Sequence, residues 1–205
     1  MTGPVAMLRN QLRPALVMTL LLMVITGIVY PGVVTGLAHV LFPQQADGSL
    51  VRRDDGRVVG SALIGQGFTT APYFHPRPSA AGSGYVGDSS NATNKGPTDR
   101  KLADTLIAQA VESAVATEGA VRGQIPSDMV TSSASGLDPD ISPANAELQV
   151  ARVARARQAG PDRIRAIVAA HTQGRQFGIF GEPRVNVLRL NLAVDSAIPP
   201  PLGHR

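Results

Sequence analysis

Near its N-terminus the chain reads Ala15-Leu-Val-Met-Thr-Leu-Leu-Leu-Met-Val-Ile-Thr-Gly-Ile-Val-Tyr30, and it stays apolar to about Leu41. The 33 residues from Pro14 to Ala46 contain no Asp, Glu, Lys or Arg. A helix needs about 20 predominantly apolar residues to cross the hydrocarbon core of a bilayer. No comparable run occurs elsewhere, so the sequence predicts one membrane-spanning helix followed by a folded domain.

The residues on either side of this span predict its orientation. Arg9 and Arg13 precede it without any acidic residue, whereas the first charges after it have mixed sign. An unopposed basic flank favours a cytoplasmic N-terminus. We therefore expect residues 1–14 in the cytoplasm, residues 15–41 as the anchor and residues 42–205 outside.

A cleaved signal peptide is the competing interpretation of the same stretch. Its apolar core should be about 7–15 residues long and should end in a small-x-small cleavage site. The run here is longer, is interrupted by Pro31 and shows no A-x-A pattern before Phe42, so we predict an uncleaved anchor.

Three residues near the outer end of the span predict how it packs. Gly32 and Gly36 form a G-x-x-x-G, a spacing that lets another membrane helix approach closely. Glycine is also common in membrane helices for other reasons, which is the plainer interpretation. Pro31 removes one backbone hydrogen bond and should kink the helix. The segment thus predicts a helical partner in the membrane.

The composition of the rest of the chain limits the class of protein. Residues 47–205 carry 17 basic and 15 acidic side chains, and no run of Lys or Arg alternates with aromatic residues. Nucleic-acid binding therefore has no support. The chain has no cysteine, which excludes disulfides and thiolate metal sites. Its four histidines lie far apart in the sequence, and we predict no metal site.

Hydrophobic spacing and turn residues predict an α+β domain after the span. The predicted strands are Gly56–Ile64, after a turn at Asp54–Gly56, and Arg184–Val194, in which apolar residues alternate from Leu188 onward. The predicted helices run from a cap at Thr98 to near Gly119, from Ser142-Pro143 to about Gln158, and from Pro161 to about Thr172. The Pro-rich tail from Ala197 should be loose.

Two long loops between these elements hold the candidate functional residues. Residues 65–97 are rich in Gly, Pro, Ser and Asn, and a loop of that length is more often functional or disordered than a mere connector. Within it, Tyr73–Ser79 is aromatic, basic and stiffened by two prolines, or is simply a rigid loop that packs Phe74 into the core. In the second loop, Asp138 and Asp140 could serve a ligand or simply cap the following helix.

Searches for catalytic signatures fail throughout the sequence. It contains no G-x-x-x-x-G-K-[ST] for a phosphate, no G-x-S-x-G nucleophile elbow and no H-E-x-x-H for zinc. His171 lies on an apolar helix face, where we interpret it as a satisfied core histidine. The residues alone therefore indicate a membrane-anchored exported domain with a partner in the membrane.

Several strings of the sequence carry a specific resemblance to a known family. They are Phe42-Pro-Gln-Gln-Ala46, Gly48-Ser-Leu50, Val59-Gly-Ser-Ala-Leu-Ile-Gly-Gln66, Tyr73-Phe-His-Pro-Arg-Pro-Ser79, Ser133-Ala-Ser-Gly-Leu-Asp-Pro-Asp-Ile-Ser-Pro143, Gln149-Val-Ala-Arg-Val-Ala154, His171-Thr172 and Gly181-Glu-Pro-Arg-Val-Asn-Val-Leu188. In this order they closely resemble the C subunit of the Kdp potassium-transporting P-type ATPase. The resemblance covers about residues 15–195.

The resemblance implies a place in a bacterial inner-membrane complex for potassium import. Such a complex has a pore-forming subunit, an ATP-hydrolysing subunit and a small single-helix subunit. This chain lacks the D-K-T-G phosphorylation motif of the pump, so the resemblance implies an accessory subunit without catalytic residues.

The mode of action implied by the resemblance has alternatives. The family is described as a catalytic chaperone that raises the ATP affinity of the pump subunit, so ATP contact is possible through that subunit, and no other cofactor is expected. A second possibility is an external cap over the entrance of the potassium pore, with no nucleotide contact. A different class of protein, a membrane-anchored exported enzyme or binding module, is the third.

The candidate site residues follow from these hypotheses. Besides the packing glycines, the candidate contacts with partner subunits or entering ions are His75, Arg77, Ser133, Ser135, Gly136, Asp138, Asp140, Glu182 and Asn186. Asp138 and Asp140 are expected to attract potassium, because exposed carboxylates at a pore mouth raise the local cation concentration.

Overall fold

The computed structural model describes residues 3–53 and 55–201. Its contacts divide the chain into two compact units, Met1–Leu50 and Val51–Arg205. The first unit is helical, and the second mixes helices with short strands. The predicted fold class, one long apolar helix followed by an α+β domain, is confirmed.

The first unit is built around one long helical rod. It consists of α1 (Pro4–Val24), a π-helical segment (Ile25–Val29), α2 (Tyr30–Leu41) and the short α3 (Pro43–Ala46). The stretch Asn10–Leu41 has a mean hydropathy of 2.2 and none of its most apolar part is buried. Among the described residues it is the one helix long and apolar enough to cross a membrane. The side chain of Arg9, used to predict the orientation, lies outside the described part.

The rod is irregular next to its proline. Pro31 has no N–H to donate, and the turn before it widens so that the Tyr30 N–H bonds to the Ile25 carbonyl, five residues back. Nearby, Thr26 Oγ1 donates to the Leu22 carbonyl at 2.7 Å. Both features are recognised causes of local helix distortion.

The second unit begins with a two-stranded sheet. It pairs β1 (Leu50–Arg52) with β2 (Val58–Ser61), and β2 lies inside the predicted strand Gly56–Ile64. In the connecting turn the Gly56 N–H bonds to the Arg53 carbonyl at 2.8 Å. Asp54, which belongs to the predicted turn, lies outside the described residues.

A three-stranded antiparallel sheet lies at the centre of the second unit. Its strands are β3 (Asp140–Ile141), β4 (Thr172–Gln173) and β5 (Arg184–Asn186), in the order β3-β5-β4. Asp140 lies opposite Asn186, and Val185 lies opposite both Ile141 and Thr172. The register therefore brings two predicted site residues, Asp140 and Asn186, side by side.

The three predicted helices of the second unit are present. The helical elements are a π-helical segment (Leu102–Ile107) that continues as α4 (Ala108–Glu118), a 3₁₀ turn (Arg122–Gln124), α5 (Ser127–Val130), α6 (Pro143–Ala156), α7 (Pro161–His171) and α8 (Val187–Ala197). Ser142 caps α6 as expected, since its Oγ accepts from the Asn145 N–H at 3.1 Å. The cap predicted at Thr98 is wrong by one residue, because Asp99 Oδ1 accepts the Leu102 N–H at 3.3 Å.

The predicted strand over Arg184–Val194 is wrong after Asn186. The chain turns there into α8, and the Asn186 side chain caps it by accepting from the Arg189 N–H at 3.1 Å. The buried residues on the core face of α8 include Val187, Leu190, Asn191 and Val194. These positions have helical spacing, but the polar residue at position 191 interrupts the apolar pattern. The leucines happen to occupy every second position, and that alternation suggests a strand.

The hydrophobic core of the second unit lies among α6, α7, α8 and the central sheet. Its members are Phe74, Ile141, Ala146, Val150, Val153, Ala154, Ile164, Val168, Val185, Val187, Leu190, Val194 and Ile198. Phe74 is fully buried, which confirms that the long loop packs it into the core. Ile198 is 8% exposed, so the tail is not loose at its start, and residues 202–205 lie outside the described part.

Candidate functional site

The segment Tyr73–Ser79 lies on the core although it belongs to no strand. Asn191 of α8 pairs with both backbone groups of Phe74: its Oδ1 accepts the N–H at 2.7 Å and its Nδ2 donates to the carbonyl at 2.9 Å. Gln149 of α6 pairs with both backbone groups of His75: its Oε1 accepts the N–H at 2.7 Å and its Nε2 donates to the carbonyl at 3.0 Å. Two buried carboxamides thus replace the neighbouring strands that would otherwise satisfy this backbone.

A buried ion pair extends this support from α6 to α4. Arg152 Nε donates to both oxygens of Glu118, at 2.8 and 3.0 Å, and the two side chains are 10% and 3% exposed. The same guanidinium donates to the carbonyls of Ala71 and Tyr73, at 2.6 and 2.8 Å, and to Gln149 Oε1 at 2.7 Å. Each of the three guanidinium nitrogens donates at least one hydrogen bond, and such pairing is the condition under which a buried charge is tolerated.

A second arginine fixes the start of the segment to the C-terminal end of the domain. Arg157, whose side chain is fully buried, donates to the carbonyls of Pro72 and Ile198, at 2.7 and 2.6 Å. It also donates to Asp195 Oδ1 at 2.8 Å and lies 5.0 Å from the centroid of the Tyr73 ring. Burial is the main reason that the pKa of Tyr73 lies above its ordinary value, followed by the nearby Asp195 carboxylate.

Arg77 joins the two candidate loops. Its Nη1 donates to Asp138 Oδ2 at 2.8 Å, and both side chains are about a quarter exposed, at 22% and 28%. The Arg77 carbonyl accepts the Tyr85 hydroxyl at 2.5 Å. Burial of that phenol, together with the charge of Asp138, raises the pKa of Tyr85. The structure therefore brings together Arg77 and Asp138, which the sequence predicted only as separate candidates.

His75 is held in a fixed orientation beside this pair. Its Nε2 lies 3.1 Å from the Thr70 carbonyl. Burial lowers the pKa of His75, and the positive charge of Arg152 lowers it further, so the neutral imidazole is favoured. A neutral ring has one nitrogen that donates and one that accepts, and the contact with Thr70 uses the donor.

The loop of Ser133, Ser135 and Gly136 is fastened to the long loop. Gly136 donates its N–H to Ser133 Oγ at 2.9 Å, and its carbonyl accepts Ser79 Oγ at 2.6 Å. The Ser135 carbonyl accepts both the Asn91 N–H at 3.0 Å and Ser90 Oγ at 2.9 Å. The serines therefore hold loops together.

Asp140 and Asn186 form a second polar group at the edge of the central sheet. Asn186 Nδ2 donates to Asp140 Oδ1 at 3.2 Å and to the Ala62 carbonyl at 3.0 Å, while Arg184 lies 3.2 Å from the Asp140 carboxylate. Burial raises the pKa of Asp140, and the hydrogen bond from Asn186 offsets part of that effect. Both Asp138 and Asp140 thus have an arginine partner.

The interpretation of Asp138 and Asp140 as caps of α6 is wrong. Asp138 Oδ1 accepts the Asp140 N–H at 3.0 Å, and neither carboxylate reaches the helix N-terminus. The acidic residue there is Asp128, which accepts from the Ser142 N–H at 2.7 Å and from Asn145 Nδ2 at 3.0 Å. Ser142 therefore remains the cap, and it is held in place by a residue fourteen positions earlier in the chain.

A cleft of about 450 Å³ lies next to His75 and Arg77. Its lining includes Phe68, His75, Arg77, Tyr85, Glu118 and Met129. Most of the polar side chains at its wall already have a hydrogen-bond or ionic partner within the protein. Within residues 3–53 and 55–201, no three His, Asp or Glu side chains lie close enough together to hold a metal ion.

The remaining predicted site residues lie elsewhere in the chain. Glu182 pairs with Arg175 at 2.7 Å across the exposed hairpin between β4 and β5. Gly32 and Gly36 lie in α2 of the first unit, and a Cβ built on either would meet no atom within 4 Å. His171, interpreted as a satisfied histidine, is half-buried with its Nδ1 at 2.9 Å from the Ile167 carbonyl.

Sequence reasoning missed the four side chains that hold the site in place: Gln149, Arg152, Arg157 and Asn191. Three of them lie in helices whose apolar faces are easy to recognise, and Arg157 directly follows α6, so polar residues there are taken as solvent-exposed. One signal was present, because Asn145 and Gln149 are four residues apart on α6 and Gln149 Nε2 donates to Asn145 Oδ1 at 2.8 Å. Two carboxamides at this spacing on the core side indicate a buried hydrogen-bond chain.

Comparison with known proteins gives one consistent result. The family described as "K+-transporting ATPase, c chain" (KdpC) matches residues 12–196. A potassium-transporting ATPase KdpC subunit from Gemmatimonas aurantiaca is 64% identical over 188 residues, which cover 91% of this chain and 93% of that protein. The KdpC subunit of Myxococcus xanthus is 55% identical over 87% of this chain and 84% of its own length. That of Rhodospirillum rubrum is 54% identical, with 94% and 98% covered.

Proposed function

Because this chain belongs to the KdpC family, the c chain of K+-transporting ATPases, we propose that it is a membrane-anchored accessory subunit of a potassium importer. It assembles in a bacterial inner membrane with the pore-forming, ATP-hydrolysing and small single-helix subunits. Its contribution is assembly and positioning, while a different subunit hydrolyses ATP. The observation that carries the proposal is the exposed apolar helix Asn10–Leu41.

Among the described residues of the first unit, the most apolar part of that helix is not buried by any other segment. Its large apolar side chains are about half exposed or more, for example Leu16 at 62%, Ile28 at 66% and Val40 at 78%. Lipid tails pack well against large apolar side chains. Two glycines on one helix face offer lipid tails little side-chain surface to contact. Gly32 and Gly36 leave the backbone of α2 open, as at the close approaches between membrane helices.

Replacing Gly32 and Gly36 together by Leu is expected to weaken assembly of the complex at least tenfold. Bulky side chains at both positions hold a neighbouring helix away from the α2 backbone. The measurement is co-purification of the other subunits with tagged full-length chain from detergent-solubilised membranes. Gly27→Leu, a third open glycine of the same rod outside the motif, is the control and should leave assembly intact. Unchanged recovery of partners by the double variant would refute this packing surface.

The orientation of the anchor is part of the proposal. Arg9 and Arg13 before the span support a cytoplasmic N-terminus, and the second unit then lies outside the cytoplasm. Since ATP is cytoplasmic, a domain on the other side of the membrane acts most simply on potassium arriving at the pore. This favours an external cap over direct contact with nucleotide.

The geometry of the acidic loop sets the size of any effect on potassium. Asp138 and Asp140 are 28% and 25% exposed, so they are accessible to ions, but Arg77 and Arg184 compensate their charge at 2.8 and 3.2 Å. A compensated pair produces a weaker field than two free carboxylates, and salt screens it further. The expected attraction of potassium is therefore small.

Changing Asp138 and Asp140 together to Asn is expected to raise the potassium concentration for half-maximal transport by about twofold. The ATP concentration for half-maximal hydrolysis should stay the same. Both are measured on the assembled complex in liposomes at low salt. Asp162→Asn removes one negative charge from a side chain that is 97% exposed on α7, and it serves as the control for a change of surface charge away from the loop. If the ATP concentration for half-maximal hydrolysis changes and the potassium concentration for half-maximal transport does not, the result would favour the catalytic-chaperone function.

A further inference from the structure

The hairpin between β4 and β5 ends in an apolar tip, which we define as Phe177–Phe180. Phe177 is 92% exposed, Ile179 72% and Phe180 64%. Gly178 is the fourth residue, so the tip carries no polar side chain. Within the described part of the second unit, no other run of neighbouring residues exposes its apolar side chains to this extent. Such a projection adds nothing to the core and indicates a surface that binds something apolar.

The exposed tip is closed by hydrogen bonds within the hairpin. Gln176 and Phe180 exchange both backbone hydrogen bonds, at 2.8 and 2.9 Å, and the Ile179 N–H bonds to the Gln176 carbonyl at 3.1 Å. Below the tip, Arg175 Nη2 bridges both oxygens of Glu182 at 2.8 and 2.7 Å. The arms of the hairpin are therefore closed by a backbone pair and an ion pair.

The tip holds an aromatic residue where folding alone would favour another. Phe177 has φ +53 and Gly178 has φ +75, so both central residues of this turn are left-handed. Asn, Asp and Gly suit such positions, and a bulky residue with positive φ is a genuine outlier. An exposed Phe in that conformation gives up local stability without a packing gain in this chain. Its contribution must come from a contact outside the chain.

We propose that the tip inserts into the interfacial layer of the lipid bilayer in which the chain's own helix is anchored. This inference rests on the membrane anchoring in the proposed function, but not on assembly with other subunits. Acyl chains accept Phe and Ile without any directed polar partner, which suits a tip that carries no polar side chain. Arg175 and Glu182 follow one step behind, where they would meet charged and zwitterionic headgroups, the usual order of residues in an interfacial anchor.

The tether makes the bilayer available to the tip. Only residues 42–50 separate the end of α2 from the second unit, and nine residues span about 30 Å at most. A domain of this size has a radius of gyration of about 15 Å. The start of the second unit therefore stays within about 30 Å of the bilayer surface, and the tether keeps the effective lipid concentration around the unit high.

A single-cysteine label tests the insertion directly, because the chain has no cysteine of its own. The full-length Ile179→Cys variant is labelled with the fluorophore NBD and reconstituted alone in vesicles of phosphatidylethanolamine and phosphatidylglycerol. Lipids with a spin label near the headgroup should quench it at least threefold more than they quench NBD at Ala170→Cys, an exposed position on α7. Adding Phe177→Ser and Phe180→Ser should abolish the difference.

Two results would overturn the inference. Equal quenching at the two positions would mean that the tip stays in water. Shielding of the label that appears only when the other subunits are added, without quenching by lipid, would assign the tip to a protein partner. Either result leaves the co-purification test of Gly32 and Gly36 unaffected. Unchanged co-purification by the Gly32 and Gly36 double variant would in turn leave the quenching result unaffected. The two proposals can therefore be refuted separately.

Discussion

Replacing Arg157 by Met is expected to lower the free energy of unfolding by about 3–5 kcal/mol, the usual effect of removing one partner from a buried charged network. The melting temperature should fall by roughly 6–20 °C for a chain of this length. Met fills the space of the side chain but has no N–H to donate. The buried carbonyls of Pro72 and Ile198 therefore lose the donors that Arg157 provides at 2.7 and 2.6 Å. Asp195 loses its closest positive charge as well.

The measurement is urea unfolding of the full chain in detergent, followed by circular dichroism. Detergent keeps the apolar rod helical, so the change reports the helices of the second unit. Arg165→Met is the matched control, because it removes an arginine that pairs with two acidic residues, Glu147 and Asp162, on an exposed surface. It should leave the midpoint almost unchanged. Arg157→Lys should lie close to Met, since an ammonium cannot reach acceptors on three sides. Equal losses in Arg157→Met and Arg165→Met would contradict the prediction.

Gly136→Ala is also expected to destabilise the second unit strongly. At φ +68 any L-residue is strained by about 1–2 kcal/mol. A Cβ at this position would also lie 2.5 Å from the Asn91 carbonyl oxygen and 2.8 Å from the Ala81 nitrogen, both backbone atoms. Overpacking of this kind costs about 1–3 kcal/mol more. The loop must shift, and the bonds from Gly136 to Ser133 and Ser79 shift with it.

Gly119→Ala separates the two contributions. Gly119 ends α4 with the same φ of +68, but a Cβ there meets no atom within 4 Å. It therefore carries the conformational penalty without the collision. The difference in unfolding free energy between the two variants, by the same urea titration, should be about 1–3 kcal/mol. A difference near zero would show that the three loops around Gly136 can move apart freely.

The sequence predicted those features that depend on local chemistry. The long apolar helix, which is able to cross a membrane by length and composition, follows from 33 residues without Asp, Glu, Lys or Arg, and no folded partner is needed to recognise it. Helices α6 and α7 follow from Ser142-Pro143 and from Pro161, since caps and prolines act on the first turn regardless of the rest of the chain. The loop Tyr73–Ser79 was also recognised as important from its composition.

The C-terminal helix was not predictable in this way, because its decisive residue is polar. Asn191 reads as solvent-exposed in any hydrophobic pattern, yet it is 2% exposed and pairs with the backbone of Phe74, 117 positions away in the sequence. Without that partner its burial would be unfavourable. Pattern analysis lacks this information and therefore favours the alternating leucines of a strand.

By itself, then, the sequence determined the long apolar helix, the fold class, the family resemblance and the starts of the helices that carry their own N-terminal signals. Only the tertiary structure decided which polar residues are buried, that α8 is a helix, and that Arg77 and Arg184 compensate the two acids of the loop. The physical reason is the range of the interactions. Hydrophobic length and capping act within a few residues, whereas a buried amide, arginine or carboxylate is stable only beside a partner that folding brings from far along the chain.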